Sequence, residues 1–375
     1  MCYTTAGAGH RRAAEAVAQA ARARWPGRDV ACVDILEHTP RWFRWFYAAS
    51  YLFLVRYASW LWHLGYMGFD QPWLRYCIDE PRRMWNRFVA RRFLRWLRDR
   101  PPAAVLAAHF MPADVCGWAK RAGWLRAPLI VIVTDLHPHR FWLTPEAEAI
   151  VVATEDGRRL CRERGVPPER LHVVGIPVTP PGSEGASPQA SPELFGLRAG
   201  RRTILVTSGG TTVGPFAPVV QELLTLEQDL PGRLQLLVVC GSNEAAVKRL
   251  RRVAARAAMP ATVVGFIDTM PQAIAAADLV VAKAGGLTTA EALGQGRPLV
   301  IYHMIPGQEE FNTAHAADRG AAVIATRPRA VGQAVRELFQ DPARLERMRR
   351  AAESLGRPDA AARIVSDILE PLLTR

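Results

Sequence analysis

No C-x-x-C pair, no G-x-x-x-x-G-K-[ST] turn and no D-x-D triplet occurs in this chain of 375 residues. The six cysteines (Cys2, Cys32, Cys77, Cys116, Cys161 and Cys240) stand far apart, without the spacing of a disulfide framework or a zinc site. A reducing cytoplasm suits them. The missing phosphate loop argues against a P-loop ATPase. No charged, then apolar, then small-residue leader opens the chain, so neither export nor organelle import is expected. Long uncharged hydrophobic runs are also lacking. The best, residues 47–69, contains Arg56 and His63, and an Arg at the centre of a spanning helix costs about 2.5 to 3.5 kcal/mol on insertion scales.

What is present is basic and aromatic. A net charge of +13 and a pI near 10.1 call for an anionic partner. Residues 41–98 hold eleven Arg against three acids, and seven of the eleven Trp. Trp settles at the headgroup level of a bilayer and each Arg near an anionic leaflet adds about 1 kcal/mol of attraction, so this segment reads as helices lying in a membrane interface. Its candidates are Trp42, Trp45, Trp60, Trp62, Arg82, Arg83, Arg91 and Arg92. Aromatic and basic residues also stack on single-stranded nucleic acid, but no nucleic-acid-binding motif accompanies them. An aromatic core beneath a loop stays open beside the interface reading.

With 49% hydrophobic residues the chain can bury two cores. Short β-branched runs alternate with helical patterns, the signature of parallel sheets in α/β domains. The first series is "VACVDIL", "AAVLAAH", "PLIVIVTD", "AIVVAT" and "LHVVGIPV"; the second is "RTILVTSGG", "LQLLVVCG", "ATVVGFI", "DLVVAKAGG", "PLVIYH" and "AAVIA". Between them residues 181–192 are rich in Pro, Gly and Ser and read as a linker. The expectation is two doubly wound domains, 1–180 and 193–375, facing a cleft, with a last helix over about 359–373 that packs on one of them.

Ligands of such domains bind at the carboxyl ends of the strands, against helix N-termini. "TAGAGH" lets the backbone approach a ligand through Gly7 and Gly9 and puts His10 in the first turn of a helix. "TSGGTTVG" offers Gly209, Gly210 and Thr211 to a phosphate, though an ordinary strand-to-helix turn would look the same. "KAGGLTTAEAL" opens the backbone at Gly285 and Gly286, leads through Leu287 and Thr288 into a helix, and sets Glu291 one turn inside, where a carboxylate can take both hydroxyls of a ribose. "PGQEEFN" adds Gln308 and Glu309, able to read sugar hydroxyls. In "TDLHPH", Asp135 and His137 face the same side by topology; a capping role fits them equally.

Taken in order, "GAGH", the aromatic segment, "TDLHPHRFWL", "VVGIPV", "SGGTTVG", "VVGFIDTMPQAIAAADLVVAKAGGLTTAEAL" and "PGQEEFN" resemble the monogalactosyldiacylglycerol synthase family and its bacterial relatives, the diacylglycerol glucosyltransferases, which are similar in turn to the lipid-linked N-acetylglucosaminyltransferase of peptidoglycan synthesis. The resemblance runs from about residue 4 to 320. It implies a GT-B fold, a UDP-glucose or UDP-galactose donor held mostly by the C-terminal domain, and diacylglycerol or a similar membrane lipid as acceptor beside the N-terminal one. It also implies an inverting reaction giving a β-glycoside, at the cytoplasmic face of the membrane, with the protein peripheral. His10 would then take the proton of the acceptor hydroxyl, worth about 10² to 10⁴ in rate. Gly209, Gly210 and Thr211 would lie by the diphosphate, Phe266 and Ile267 by the uracil, Gly286, Leu287 and Thr288 on the phosphates, Glu291 on the ribose, and Gln308 and Glu309 on the sugar. Without a D-x-D motif no metal or other cofactor is expected, the leaving diphosphate resting on amides and a helix dipole. A soluble UDP-sugar enzyme such as an epimerase would share the nucleotide pocket, and a non-catalytic UDP-sugar-sensing membrane protein would share the aromatic segment too.

The family has a full apolar strand before the first glycine turn, where this sequence offers only "MCYT". The expectation is a gap at the centre of the first sheet, from a start downstream of the natural one or a damaged sheet.

Overall fold

The computed structural model describes residues 1–5, 8–71, 75–180, 192–210, 212–307 and 309–374. Gly7, Thr211, Gln308 and nearly all of the expected linker lie outside them. The chain forms two compact units, one of residues 1–178 with 306–308 and 359–375, the other of 179–305 with 309–358.

The first unit is a parallel six-stranded sheet, β1 (Cys2–Tyr3), β2 (Val33–Asp34), β3 (Val105–Ala107), β4 (Leu129–Ile132), β5 (Ala149–Val152) and β6 (Leu171–Val173), in the order β2-β1-β3-β4-β5-β6. Its helices are α1 (Ala8–Arg24), α2 (Arg41–Tyr57), α3 (Ser59–Phe69), α4 (Arg75–Val89), α5 (Arg91–Asp99), α6 (Phe110–Arg121) and α7 (Glu155–Glu163). The expected gap is not there. Cys2 and Tyr3 pair with Val33 and Asp34 on one side, and Cys2 with Ala107 on the other. Two residues suffice to join β2 and β3, which are themselves only two and three residues long.

The strands read as uninterrupted apolar runs because both faces of a parallel sheet are covered. One face packs against α5 and α6 through Phe93, Leu97, Met111 and Val115. The other receives Ala16, Val17 and Ala21 of α1, small residues that let the helix lie close, together with Ile364, Val365, Ile368 and Leu369 from the end of the sequence. The expected last helix is thus an α-π-α run over residues 360–373, packed on the first sheet.

The second unit contains β7 (Arg202–Thr207), β8 (Leu234–Val239), β9 (Ala261–Val264), β10 (Leu279–Lys283), β11 (Leu299–His303) and β12 (Ala322–Ile324), all parallel, in the order β12-β11-β10-β7-β8-β9. Among the described residues its helices are α8 (Phe216–Thr225), α9 (Glu244–Ala254), α10 (Met270–Ala275), α11 (Gly286–Gly294), α12 (Glu310–Asp318), α13 (Pro328–Gln340) and α14 (Pro342–Leu355). Apolar cores fill both of its faces.

Residues 47–69 do not make one long helix. The backbone leaves helical geometry at Ala58 (φ −136°, ψ 46°), dividing α2 from α3. Among the described residues no helix is long and apolar enough to cross a membrane.

Candidate functional site

In the first sheet β1 and β3 are neighbours, and the strand order runs outward from them in both directions. The loops that leave their carboxyl ends diverge, which is where open α/β sheets bind ligands. His10 follows β1 in the first turn of α1, beside Gly9. His109 follows β3 and caps α6, its Nδ1 accepting the Met111 N–H at 3.1 Å. That bond fixes the proton of a neutral His109 on Nε2. The two imidazoles meet edge to face, 4.7 Å between centroids. Thr134, just past β4, sets its hydroxyl 2.8 Å from His10 Nδ1, and the Ala108 backbone also bonds the ring. Asp135 lies beneath, accepting the Trp142 Nε1–H at 3.3 Å, and the Trp142 ring stands 6.0 Å from that of His10.

Burial holds the His10 imidazole below its ordinary value of 6.5, against the opposing pull of Asp135 and the Ala108 bond. His109 is pushed well below, first by burial and then by the His10 and Arg82 charges. His10 is therefore a neutral base near pH 7, held in one orientation and able to accept a proton.

His137 Nε2 stands 4.0 Å from the Asp70 carboxylate. Asp70 caps α3 and ties down the loop beyond β4. It accepts the Arg140 N–H at 3.0 Å and the Arg164 guanidinium, while Arg140 Nε donates to its carbonyl at 2.6 Å. Burial alone would raise the Asp70 pKa; bonds to His137 and the Arg140 amide and the charges of His139 and Arg164 outweigh it and bring it to about 2.

In the second sheet β7 and β10 flank the corresponding switch point, and both expected glycine turns leave from it. After β7, Gly209 adopts φ +74°, a conformation that suits glycine. Gly241, at the end of β8, presses on this turn so closely that a Cβ there would lie 2.5 Å from the Gly210 carbonyl. Ser242 also bonds that carbonyl, through its hydroxyl at 3.0 Å, and Asn243 donates to Thr212. The turn is locked from below. After β10, Gly285 is the N-cap of α11, so the first amides of the helix, from Gly286, Leu287 and Thr288, project beyond it. Leu287 itself is buried. Glu291 is buried on α11, and Phe266 is exposed after β9, with half-buried Ile267 against the core. Glu309 is buried too. One of its oxygens pairs with the Lys283 ammonium, and the other accepts the Ile305 N–H at 2.8 Å.

Residues 10–178 match the monogalactosyldiacylglycerol (MGDG) synthase family and residues 203–364 the glycosyltransferase family 28 C-terminal domain. A processive diacylglycerol beta-glucosyltransferase of Bacillus cytotoxicus is 27% identical over 323 residues, 86% of this chain and 81% of that protein. A probable chloroplastic monogalactosyldiacylglycerol synthase of Nicotiana tabacum is 29% identical over 97% of this chain and 69% of its own. The chain is a glycosyltransferase, its first part similar to the MGDG synthases and its second to the family 28 enzymes. Its fold is GT-B: MurG of Acinetobacter baumannii superposes over 98% of both chains with a TM-score of 0.61 at 19% identity.

In this glycosyltransferase the basic aromatic segment divides in two. Trp42, Trp45 and Trp60 are exposed, Trp45 by 74%. Trp42 meets Trp85, and Trp85 stacks on Phe88, so that α2 and α4 present one aromatic patch. Arg91 and Arg92 are exposed, Arg91 lying over the Phe88 ring at 4.5 Å. Trp62 is half-buried and stacks on Tyr66. Arg82 and Arg83, expected on the membrane side, turn inward instead. Arg82 pairs with the buried Asp114 of α6 and lies 4.2 Å from the Phe141 ring, and Arg83 stands 3.8 Å from Asp114. Burial still pushes the Asp114 carboxyl up to about 6 against both arginines. A buried carboxylate captures the nearest guanidinium groups, because leaving it unpaired is costlier than withdrawing them from water.

Thr134, His109, Trp142 and Lys283 are the site residues that sequence motifs did not single out. For His109 a signal was present: it ends a strand run and precedes a helix, as His10 does.

Proposed function

We propose that this glycosyltransferase moves glucose or galactose from a UDP-sugar to the hydroxyl of diacylglycerol at a membrane surface, with inversion. One observation carries the chemistry: a neutral histidine, His10, held by Thr134 at the switch point of the first sheet. The names of the Bacillus and tobacco relatives support diacylglycerol as acceptor and glucose or galactose as the sugar. His10 accepts the acceptor's hydroxyl proton as its oxygen bonds to the anomeric carbon. The bond from that carbon to the diphosphate breaks, UDP leaves, and a β-glycoside remains. Amides of Gly209, Gly210 and the first turn of α11 receive the charge that develops on the diphosphate, Glu291 takes the ribose, Phe266 and Ile267 the uracil, and Glu309 with Gln308 the sugar. Gly9 and Asp135 serve the acceptor side. With no D-x-D pair in the sequence the reaction runs without a metal. The exposed aromatic patch with Arg91 and Arg92 brings the protein to an anionic leaflet.

The test is to incubate the protein with anionic vesicles containing diacylglycerol and either UDP-glucose or UDP-galactose, with EDTA present, and follow glycolipid by mass spectrometry. Product from one donor, lost in His10→Ala, supports the proposal. No product from either donor while UDP binds refutes it.

A further inference from the structure

The loops that follow β7 to β11 contain no Lys or Arg, and the last residues of those strands supply a single one, although the chain has 48 such residues. That residue is Lys283, the last of β10. Pairing between β10 and β11 slips between Ala282 and Lys283, so that Lys283 sits opposite His303 rather than Tyr302. Such slips re-aim a side chain at the end of a strand. The ammonium is thereby carried over the start of α11: a Cβ on Gly285 would lie 3.4 Å from Lys283 Nζ and 3.8 Å from Glu309 Oε1. Lys283 and Glu309 are 14% and 6% exposed and paired. Among the described residues at these strand ends, the cation beside the start of α11 is already neutralised by a carboxylate from the "PGQEE" turn.

We propose that Lys283 is a diphosphate ligand held in reserve by Glu309, and that donor binding exchanges one anion for the other. This rests on the UDP-sugar reading above. A carboxylate one residue from the end of a turn shares the ammonium with water excluded from only part of the pair; a diphosphate offers it several oxygens and a larger charge. As the ammonium turns to the diphosphate, one Glu309 oxygen is released towards the sugar hydroxyls. The other stays on the Ile305 amide, which keeps the carboxylate in place. Sugar recognition is then armed by the leaving group of the same donor.

The experiment compares UDP with uridine, which lacks the phosphates, by calorimetry on the full chain. Three variants are used: Lys283→Met, Glu309→Gln and the double variant. Lys283→Met is expected to weaken UDP about 10- to 100-fold, the range for a charge-assisted bond, and to leave uridine unchanged. Glu309→Gln, which removes the competitor, is expected to tighten UDP about threefold or more while glycolipid formation falls. The double variant should bind UDP as Lys283→Met does, and it leaves no lone buried charge to unfold the protein. Equal losses of UDP and uridine in Lys283→Met would mean a purely structural pair and overturn the proposal. So would UDP binding unchanged or weakened in Glu309→Gln. If the unaltered protein binds neither UDP nor uridine, the donor reading itself falls, and the exchange with it.

Discussion

Replacing Thr134 by Val removes one hydroxyl and keeps the side-chain shape. Thr134 is 5% exposed and its oxygen lies 2.8 Å from His10 Nδ1. A net hydrogen bond is worth about 0.5 to 1.5 kcal/mol, and a buried nitrogen left unpaired costs about 1 to 3 kcal/mol. If Thr134 acts only by holding His10, kcat should fall between about twofold and 150-fold. His10→Ala should cost about 10² to 10⁴. The decisive variant is the double one. Because Thr134 works through His10, it should be no slower than His10→Ala alone, the grossly non-additive behaviour of residues acting as a unit. Steady-state glycolipid formation at saturating UDP-sugar, for the four proteins in parallel, gives the cycle. Losses that multiply, or a Thr134→Val enzyme as fast as the unaltered one, would refute this account of His10.

The acidic limb of kcat/KM should fall below pH 6.5, since burial lowers the His10 pKa and the base is lost only as pH drops through that lowered value; a limb at or above 6.5 would count against His10 as the base. Asp70 is held at about 2 against an ordinary 3.8, and its side chain is 13% exposed. The depressed pKa contributes about 2 kcal/mol of stability, fully present above pH 4 and lost as pH falls from about 4 to 2. The gap in urea midpoint between the unaltered protein and Asp70→Asn should shrink over that window, and a gap constant with pH would exclude the ion-pair origin. Arg91→Ser with Arg92→Ser should weaken sedimentation with anionic vesicles by about 30-fold, at about 1 kcal/mol each. Arg82→Ser should lower the melting temperature, because it strands Asp114 in the core; vesicle binding unchanged in the first variant would remove the patch from the membrane.

Strand runs such as "LIVI" and "LQLLVV" were legible because a sheet covered on both faces demands continuous apolar sequence. β1 was not, since its two residues carry no periodicity and are recognisable only beside the equally short β2 and β3. Glycine turns and helix starts were legible at Gly209 and Gly285, because close backbone approach restricts which residues fit. Charge partners were not. Arg82 reads as one more cation on a basic helix until Asp114, 32 residues away, is brought beneath it. Lys283 and Glu309 stand 26 residues apart and meet only when β10 and β11 align. Spacing along the chain reports local geometry, while burial of a charge is decided by what the fold sets opposite it.

The run over residues 360–373 closes one face of a sheet whose first strand is Cys2–Tyr3. On the ribosome, that face stays open until residues 360–373 emerge, by which time all of the second unit has been synthesised. The second unit is thus expected to be the first to fold, reversing the usual N-terminal-first order of multidomain chains. The nascent first sheet would keep that apolar face uncovered in the interval, a surface open to chaperones.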